Sequence, residues 1–306
     1  MDERVWLAER FEHHRSHLRA VAYRMLGSAS EADDALQKGW LRISHEDPAS
    51  VENMQAWLMT VIGRVCLNML RSRRSRREEL SGHLPDPVVS LDQSGDPEQE
   101  ALLADSVGLA MLVVLDALTP AERLALVMHD VFALPFAEIA TVLDRSEAAA
   151  QQLASRARRR VRGAPAPDPD LARQRQVVDA FFAASRDGDF DALLTVLDPD
   201  VELRIDGGVL REEASVVLRG AAAVAGHTAT YSNLYPFVRP ALVNGAAGAV
   251  VAPHGRLFSV MAFTVTNGKS PRSTLFSTLS VSHDSTSAAR PLPINPLDLE
   301  RPTSRA

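Results

Sequence analysis

The stretch that decides the fold of this chain is LPFAEIATVLDRSEAAAQQLASRARRRV, residues 134–161. Its apolar positions recur at helical spacing on both sides of Asp144 and Arg145, which predicts two helices joined by a short turn. A pair of helices with such a turn is typical of a helix-turn-helix. The side chains of the second helix predicted to point inward are Ala149, Leu153, Ala157 and Val161.

The opposite side of that second helix carries side chains that suit the major groove of DNA. They are Gln151, Gln152, Ser155, Arg158 and Arg159. Glutamine can pair with adenine, and arginine with guanine or with a phosphate. An ordinary helical hairpin is the alternative, but the arginine-rich end of the helix favours DNA binding.

A second basic surface follows a predicted helix over residues 53–71. The side of this helix away from its apolar positions carries Thr60, Arg64, Asn68 and Arg71. The helix runs into a cluster with five arginines in seven positions, namely Arg71, Arg73, Arg74, Arg76 and Arg77. Binding to phosphates releases counterions from nucleic acid, and arginine offers a forked set of donors, so an anionic partner is favoured over a solvated charged face.

A third helix is predicted between residues 30 and 43. Its apolar residues fall on one side, while Asp34, Gln37, Lys38 and Leu41 fall on the other. A leucine among polar side chains on the solvent side indicates a docking surface, and a stray exposed leucine is the alternative.

The composition excludes several classes of protein. The 306 residues are 46% apolar and contain a single cysteine, which excludes a disulfide framework and a cysteine-rich metal site. The net charge of −6 argues against nucleic-acid binding for the chain as a whole, although the arginines are concentrated in two clusters. Because neither a membrane span nor a signal peptide is recognisable, we expect a soluble cytoplasmic protein.

Proline and glycine divide the sequence into blocks. The predicted division is a helical domain at 5–77, a linker at 78–106, the helix-turn-helix domain at 107–163, a proline-rich linker at 164–170, an α+β domain at 171–269, and a tail at 270–306. Of the 37 tail residues, 17 are Ser, Thr or Pro, without helical or strand period, which predicts disorder.

These motifs, in this order, resemble the extracytoplasmic-function (ECF) class of bacterial sigma factors. Residues 30–42 resemble the polymerase-docking helix, residues 56–71 the helix that contacts the minus-ten promoter element, and residues 134–158 the helix-turn-helix for the minus-35 element. The resemblance narrows to the SigJ-like subgroup, which carries a SnoaL-like C-terminal extension. It implies two all-α sigma domains followed by an α+β, cone-shaped SnoaL-like domain.

The resemblance also implies roles for particular residues. The residues implied to bind core RNA polymerase are Asp33, Asp34, Gln37 and Leu41. Those implied to contact promoter DNA are Thr60, Arg64, Asn68, Arg71, Arg73 and Arg74, together with the outward residues of the helix-turn-helix. Those implied to form a regulatory contact between linker and extension are Leu84, Pro85, Asp86, Pro87, Asp206, Gly207 and Gly208. Asn68 stands where the family usually has aspartate.

The resulting prediction is an alternative sigma factor without cofactor, metal or catalytic activity. Its partners would be core RNA polymerase and promoter DNA, with an unidentified small ligand conceivable in the C-terminal pocket. Residues that could perform acid–base chemistry there are Asp206, His227, Tyr231 and His254, but a regulatory module is the preferred interpretation. A ligand-responsive helix-turn-helix regulator is the alternative function.

The tail carries a further hypothesis. In the family, the segment corresponding to the stretch after Lys269 continues as a last strand, whereas this chain reads Ser-Pro-Arg-Ser-Thr-Leu-Phe-Ser-Thr from residue 270. Codons for that string, read one base out of register, can encode a family-like strand. We therefore hypothesise a frameshift after Lys269, which would leave the domain without its closing strand.

Overall fold

A computed structural model describes residues 3–44, 51, 53–75, 84–91, 109–162, 168–206, 215–265 and 274–278. Within the first 162 residues the regular elements are α1 (Glu3–Leu26), α2 (Ala29–Ile43), α3 (Met54–Ser75), strand β1 (Val89–Ser90), α4 (Leu109–Asp116), α5 (Pro120–Leu126), a π-helical turn (Val127–Val131), α6 (Phe136–Leu143) and α7 (Glu147–Val161). We call residues 3–75 and 109–162 the helical part, and residues 84–91 the linker segment.

Local sequence signals explain the helix-turn-helix. Asp144 adopts a left-handed conformation, with φ of 55°, and ends α6, while the Ser146 side chain accepts a hydrogen bond from Ala149 N and caps α7. Thr119 and Glu122 form a capping box at the start of α5, where proline occupies the first turn. The predicted pair of helices with a tight turn is therefore confirmed.

The C-terminal part, residues 168–278, combines helices with a sheet. Its elements are α8 (Leu171–Asp187), α9 (Phe190–Val196), β2 (Glu202–Asp206), β3 (Val216–Arg219), α10 (Ala221–Ala229), a 3-10 helix (Ser232–Phe237), β4 (Val238–Val243), β5 (Ala246–Val251), a 3-10 turn (Pro253–Gly255), β6 (Ser259–Ala262) and β7 (Thr274–Thr278). Helices followed by strands confirm the predicted α+β class.

The sheet joins strands from three regions of the chain in the order β1-β4-β5-β6-β7-β2-β3. Neighbouring strands are antiparallel except β2 and β7, which are parallel. Its first strand, β1, comes from the linker segment and pairs Val89 with Val243 and Ser90 with Leu242. The linker segment is therefore part of the C-terminal sheet.

Part of the tail, which was predicted to be disordered, forms a strand. Residues 274–278 form β7, which pairs with β6 on one side and with β2 on the other. Composition concealed this strand because serine and threonine are common in it, whereas backbone pairing on two sides does not require an apolar pattern. The expectation that the domain lacks a closing strand after Lys269 is therefore wrong, because β7 supplies one, while the frameshift itself stays a hypothesis. The remainder of 270–306 lies outside the described residues.

Two hydrophobic cores organise the part of the chain that the structure describes. One contains side chains of the helical part together with Ala241, Val243, Val250, Val260 and Ala262 from one face of the sheet. The other lies on the opposite face, where α8, α9 and α10 cover the sheet around Phe181 and Phe263. All six residues of β5 are buried, because both faces of that strand are covered.

Candidate nucleic-acid interface

The exposed side of α2 presents the residues predicted to dock polymerase. Asp33, Asp34, Gln37 and Leu41 are all exposed, and the Leu41 side chain is 58% accessible. The opposite side of the helix is buried through Ala32, Ala35, Leu36, Gly39 and Ile43, as the apolar pattern predicts. The structure therefore places the four predicted residues on one accessible face.

A groove of about 370 Å³ runs between α1 and α2 beside this face. Its lining residues are Ala8, Phe11, Glu12, Arg15, Asp33, Asp34, Leu36, Gln37 and Trp40. Asp33 is held there by Arg19, whose Nε and Nη2 donate to its two carboxylate oxygens at 2.6 and 3.1 Å. The docking face thus has an apolar floor and a charged rim.

The second predicted surface lies on α3. Arg64, Asn68, Arg71 and Arg74 are exposed, and Thr60 is half-buried with its hydroxyl donating to Trp57 O at 2.7 Å. Arg73 forms an ion pair with Glu31 of α2, so its guanidinium ties two helices together. The structure therefore places the predicted residues along one side of α3, whereas Arg73 faces α2. The residues of this stripe on α3 are Thr60, Arg64, Asn68, Arg71 and Arg74.

The buried side of α3 is wider than the sequence predicts. Of the apolar residues expected on this side, Leu58, Ile62 and Val65 are buried, while Met54, Trp57, Val61 and Met69 are half-buried. Met59, Gly63, Cys66 and Leu67, which were not expected there, are buried as well. A β-carbon built on Gly63 would lie 3.0 Å from Met128 Cε, which belongs to the π-helical turn. The helix-turn-helix domain therefore packs against α3, a contact that helical periodicity cannot reveal.

Polar contacts join the same two domains. Arg64 Nη2 donates to Thr141 O of α6 at 2.9 Å. Arg123, whose side chain is 3% exposed, donates from Nε to Arg24 O of α1 at 3.1 Å and pairs with Asp116. Burial raises the pKa of the Cys66 thiol to about 12, although Arg123 opposes the shift.

The third predicted surface is the outward face of α7. Gln151, Gln152, Ser155, Arg158 and Arg159 are all exposed, as predicted. The buried residues are Ala150, Ala154 and Ala157, so the inward face lies one residue away from the predicted Ala149 and Leu153, which are only half-buried. The shift arises because α7 packs on both α5 and α6.

Two acidic residues that the sequence did not single out hold the arginines of α7. Asp130 of the π-helical turn accepts two hydrogen bonds from Arg158, and this raises the pKa of the guanidinium. Glu122 of α5 accepts from Arg160 Nη1 at 2.6 Å. Each pair spans at least 28 positions of sequence, so no local pattern indicates it.

The linker segment is held by both the C-terminal part and the helical part. Leu84 N donates to Asp206 Oδ2 at 2.5 Å, and Asp206 is buried at the end of β2. Asp86 N donates to Gly27 O at 2.8 Å, while Pro85 is buried and Pro87 half-buried. The predicted contact between this segment and Asp206 is therefore present, whereas Gly207 and Gly208 lie outside the described residues.

Asn244 joins three regions of the chain. It occupies the turn between β4 and β5, with φ of 51°, and is 2% exposed. Its backbone N donates to Val88 O at 2.8 Å, its Oδ1 accepts from Val88 N at 3.1 Å, and its Nδ2 donates to Tyr23 Oη at 2.9 Å. Tyr23 of α1 in turn donates to Asp86 O at 2.5 Å.

The residues considered for acid–base chemistry have different surroundings. Asp206 accepts from the linker segment, His227 packs on Tyr231 with ring centroids 5.0 Å apart, and His254 lies in the connection between β5 and β6. Burial lowers the pKa of His227. Within the described residues, the structure shows neither a group of side chains able to hold a metal ion nor a helix long and apolar enough to cross a membrane.

Comparisons with known proteins agree with this arrangement. Residues 10–76 match the Sigma-70 region 2 family model, and residues 109–161 match the Sigma-70 region 4 model. The Mycobacterium tuberculosis protein named ECF RNA polymerase sigma factor SigJ is 42% identical over 251 residues, which covers 79% of this chain and 80% of that protein. A second relative from the same organism, named probable ECF RNA polymerase sigma factor SigI, is 37% identical over 198 residues, or 63% of this chain and 67% of its own.

A solved structure extends the similarity to the C-terminal part. The crystal structure of the M. tuberculosis sigma factor SigJ superposes with a TM-score of 0.71 at 35% identity, covering 89% of this chain and 96% of that one. Two helical domains with these faces and matches define a sigma factor of bacterial RNA polymerase. More narrowly, the chain belongs to the ECF sigma factors, alternative sigma factors that direct promoter-specific initiation of transcription. A regulator using only its helix-turn-helix would leave the region 2 match unexplained.

Proposed function

We propose that this sigma factor is held in a closed state by its C-terminal part, acting through the linker segment. In this proposal Asp33, Asp34, Gln37 and Leu41 bind core polymerase. The stripe on α3 contacts the minus-ten element, and the outward residues of α7 read the minus-35 element. No cofactor is needed, and the protein works in the cytoplasm.

The observation that carries the proposal is the junction of Tyr23, Asn244 and the linker segment. It joins α1 of the polymerase-binding domain to a sheet turn of the C-terminal part through four hydrogen bonds. Of the four residues that form these bonds, Tyr23 and Asn244 are buried, Val88 is half-buried and Asp86 is exposed. Because buried polar groups are costly to leave unpaired, these bonds must be broken or replaced together.

The closed arrangement also engages residues proposed to contact DNA. Arg64 donates to the Thr141 carbonyl of the helix-turn-helix domain, and Met128 packs against Gly63 beside it. A guanidinium that contacts a backbone carbonyl has fewer donors for a phosphate. Because the helical part and one face of the sheet share one hydrophobic core, opening the junction should loosen this packing and thereby favour promoter binding by α3.

The test is transcription in vitro with core polymerase and fragmented genomic DNA from the organism that encodes the chain, with transcript 5′ ends sequenced. Tyr23→Phe removes only the hydroxyl at the junction. We expect a roughly 5- to 150-fold higher yield of specific transcripts, the effect of losing the two hydrogen bonds that the Tyr23 hydroxyl makes in the closed state. Tyr235→Phe is the matched control, because its hydroxyl donates to Thr228 O within the C-terminal part.

Two results would contradict the proposal. An unchanged or lower yield from Tyr23→Phe, with the same polymerase affinity, would remove the regulatory role of the junction. Absence of specific transcripts from every variant would instead contradict the assignment of the three interfaces. The SnoaL-like character of the C-terminal part and a ligand in its pocket stay predictions.

A further inference from the structure

Arg158 is held in one orientation by an acid from a different element. Its Nε donates to Asp130 Oδ2 at 2.7 Å, and its Nη2 donates to Asp130 Oδ1 at 2.6 Å. Asp130 belongs to the π-helical turn that precedes α6, whereas Arg158 lies on the outward face of α7. The Arg158 and Asp130 side chains are 46% and 29% exposed, so the pair sits at the surface of the helix-turn-helix domain.

The geometry of the pair leaves the far edge of the guanidinium available. A guanidinium has five N–H donors, and the side-on contact with Asp130 uses one on Nε and one on Nη2. The three remaining donors lie on Nη1 and the outer side of Nη2. Two parallel donors on this edge match the O6 and N7 acceptors that guanine presents in the major groove.

The neighbouring ion pair differs in its role. Arg160 contacts Glu122, but that carboxylate also caps α5 and its side chain is only 4% exposed. Asp130 has no such capping role among the described contacts, and its visible partner is the arginine of the predicted reading face. The Asp130–Arg158 pair is therefore the one placed to influence DNA contacts.

We propose that Asp130 is a positioning residue for promoter recognition, which presents Arg158 to a guanine of the minus-35 element. This inference rests on the proposed function of α7 as the helix that reads that element. Asp130 fixes the plane of the guanidinium before DNA arrives, and its negative charge disfavours contact with arbitrary phosphates. It should thus increase discrimination between sequences at the expense of affinity for random DNA.

The experiment uses the full-length chain with core polymerase and a pool of duplex DNA randomised across the minus-35 region. Bound sequences are compared for the wild type, Asp130→Asn, Asp130→Glu and Gln152→Ala. We expect Asp130→Asn to lose the preference for guanine at one base pair by roughly 5- to 150-fold, the discrimination of one bidentate base contact. Asp130→Glu should retain it, because a carboxylate remains within reach.

A second measurement separates positioning from folding. Asp130→Asn should bind a duplex of fixed random sequence more tightly than the wild type, since one repulsive charge is removed. A destabilised domain would instead lose affinity for every sequence, and that result would overturn the inference.

The outcomes also separate this inference from the function on which it rests. If Gln152→Ala changes the selected sequences but Asp130→Asn does not, Asp130 is not a positioning residue. If neither variant changes them, α7 does not read the minus-35 element, and both the function and this inference fail.

Discussion

Glu122 connects α5 to α7 through a single carboxylate. Its Oε2 accepts hydrogen bonds from Thr119 N, from Thr119 Oγ1 and from Arg160 Nη1 at 3.1, 2.7 and 2.6 Å. Burial alone would raise the pKa of this carboxyl, but the Thr119 hydrogen bonds and the Arg160 charge lower it below the ordinary value of 4.5. The ionised form is therefore the one that stabilises the fold.

Replacing Glu122 with glutamine should reduce stability in a pH-dependent way. We expect Glu122→Gln to cost about 1 to 3 kcal/mol at pH 7, since hydrogen bonds to a charged group are lost. Because the folded pKa is lowered, the wild-type advantage exists above the unfolded value of 4.5 and disappears as pH falls through the folded pKa. Urea unfolding between neutral and acid pH measures it.

A matched variant controls for the loss of an acid. Glu147→Gln alters an exposed carboxylate that accepts from Gln151 at 3.2 Å, and should change stability by no more than about 0.5 kcal/mol. A Glu122→Gln difference that stays constant down to acid pH would contradict the ionised role.

Gly248 tests the packing of β5 at the scale of one methyl group. A β-carbon at this position would lie 2.6 Å from Met261 O and 2.7 Å from Val243 Cγ2. Because the first neighbour is backbone, Gly248→Ala should destabilise the protein by about 1 to 3 kcal/mol in urea unfolding. Gly226→Ala in α10 is the control. A β-carbon built on Gly226 meets no neighbouring atom within 4 Å, so this change should stabilise the protein by about 0.5 to 1 kcal/mol.

The sequence alone predicts which side chains of the candidate site are exposed, but not the residues of other helices with which these side chains form hydrogen bonds. Helical period places Arg64 and Arg158 on outward faces, and the structure agrees. The contacts of Arg64 with Thr141 and of Arg158 with Asp130 cross 77 and 28 positions of sequence. Such contacts depend on how separate helices pack, which periodicity within one helix does not contain.

Among the elements, β7 connects the two halves of the sheet. It lies between β6 and β2, so that among the described strands β1-β4-β5-β6 and the pair β2-β3 are joined into one sheet through it. Proline in a central strand removes a backbone donor and is poorly tolerated. The five residues of β7 should therefore affect stability far more than their composition indicates.

Leu275→Pro should disrupt this connection. Leu275 pairs with Leu203 of β2, and we expect a loss of about 1 to 3 kcal/mol, with faster hydrogen exchange at β2 and β6 amides. Leu275→Val retains the backbone donor and should leave exchange unchanged. Equal exchange rates in the two variants would mean that β7 is not paired in solution. Resequencing the DNA after the Lys269 codon would then test the frameshift hypothesis.

The elements differ in how far sequence predicts them. The caps at Thr119 and Ser146 are local signals, so the helices that begin after them can be predicted from sequence. Strand β1 has only two residues and no pattern of its own, because it forms by pairing with β4. Strand β7 likewise forms by pairing with β6 and β2 and has no pattern of its own. For this reason the composition of the tail predicted disorder there.

At the scale of the whole molecule, the two surfaces proposed to read DNA lie on domains that contact each other. The positions that name the minus-ten and minus-35 elements are about 25 base pairs apart, which corresponds to roughly 85 Å along B-DNA. A folded chain of this length has a radius of gyration of about 19 Å. Helices α3 and α6 must therefore separate if both elements are bound at once.

Cys66, the single cysteine of the chain, can report that separation. It is fully buried on α3, and its thiol has a pKa raised to about 12 by burial. We expect a thiol reagent to modify Cys66 at least about 10-fold faster in the promoter complex than in the free chain, as read by peptide mass measurement, because thiolate access limits the reaction. Equal rates would contradict domain separation.

The pairing of β1 with β4 has a consequence for solubility. An uncovered strand edge is a template for aggregation, and β1 covers this edge of the sheet. Release of the linker segment would uncover the main-chain groups of β4 that Val89 and Ser90 occupy. If the proposed closed state opens on activation, the opening signal must therefore supply a substitute for β1 or leave the protein prone to self-association for as long as it is open.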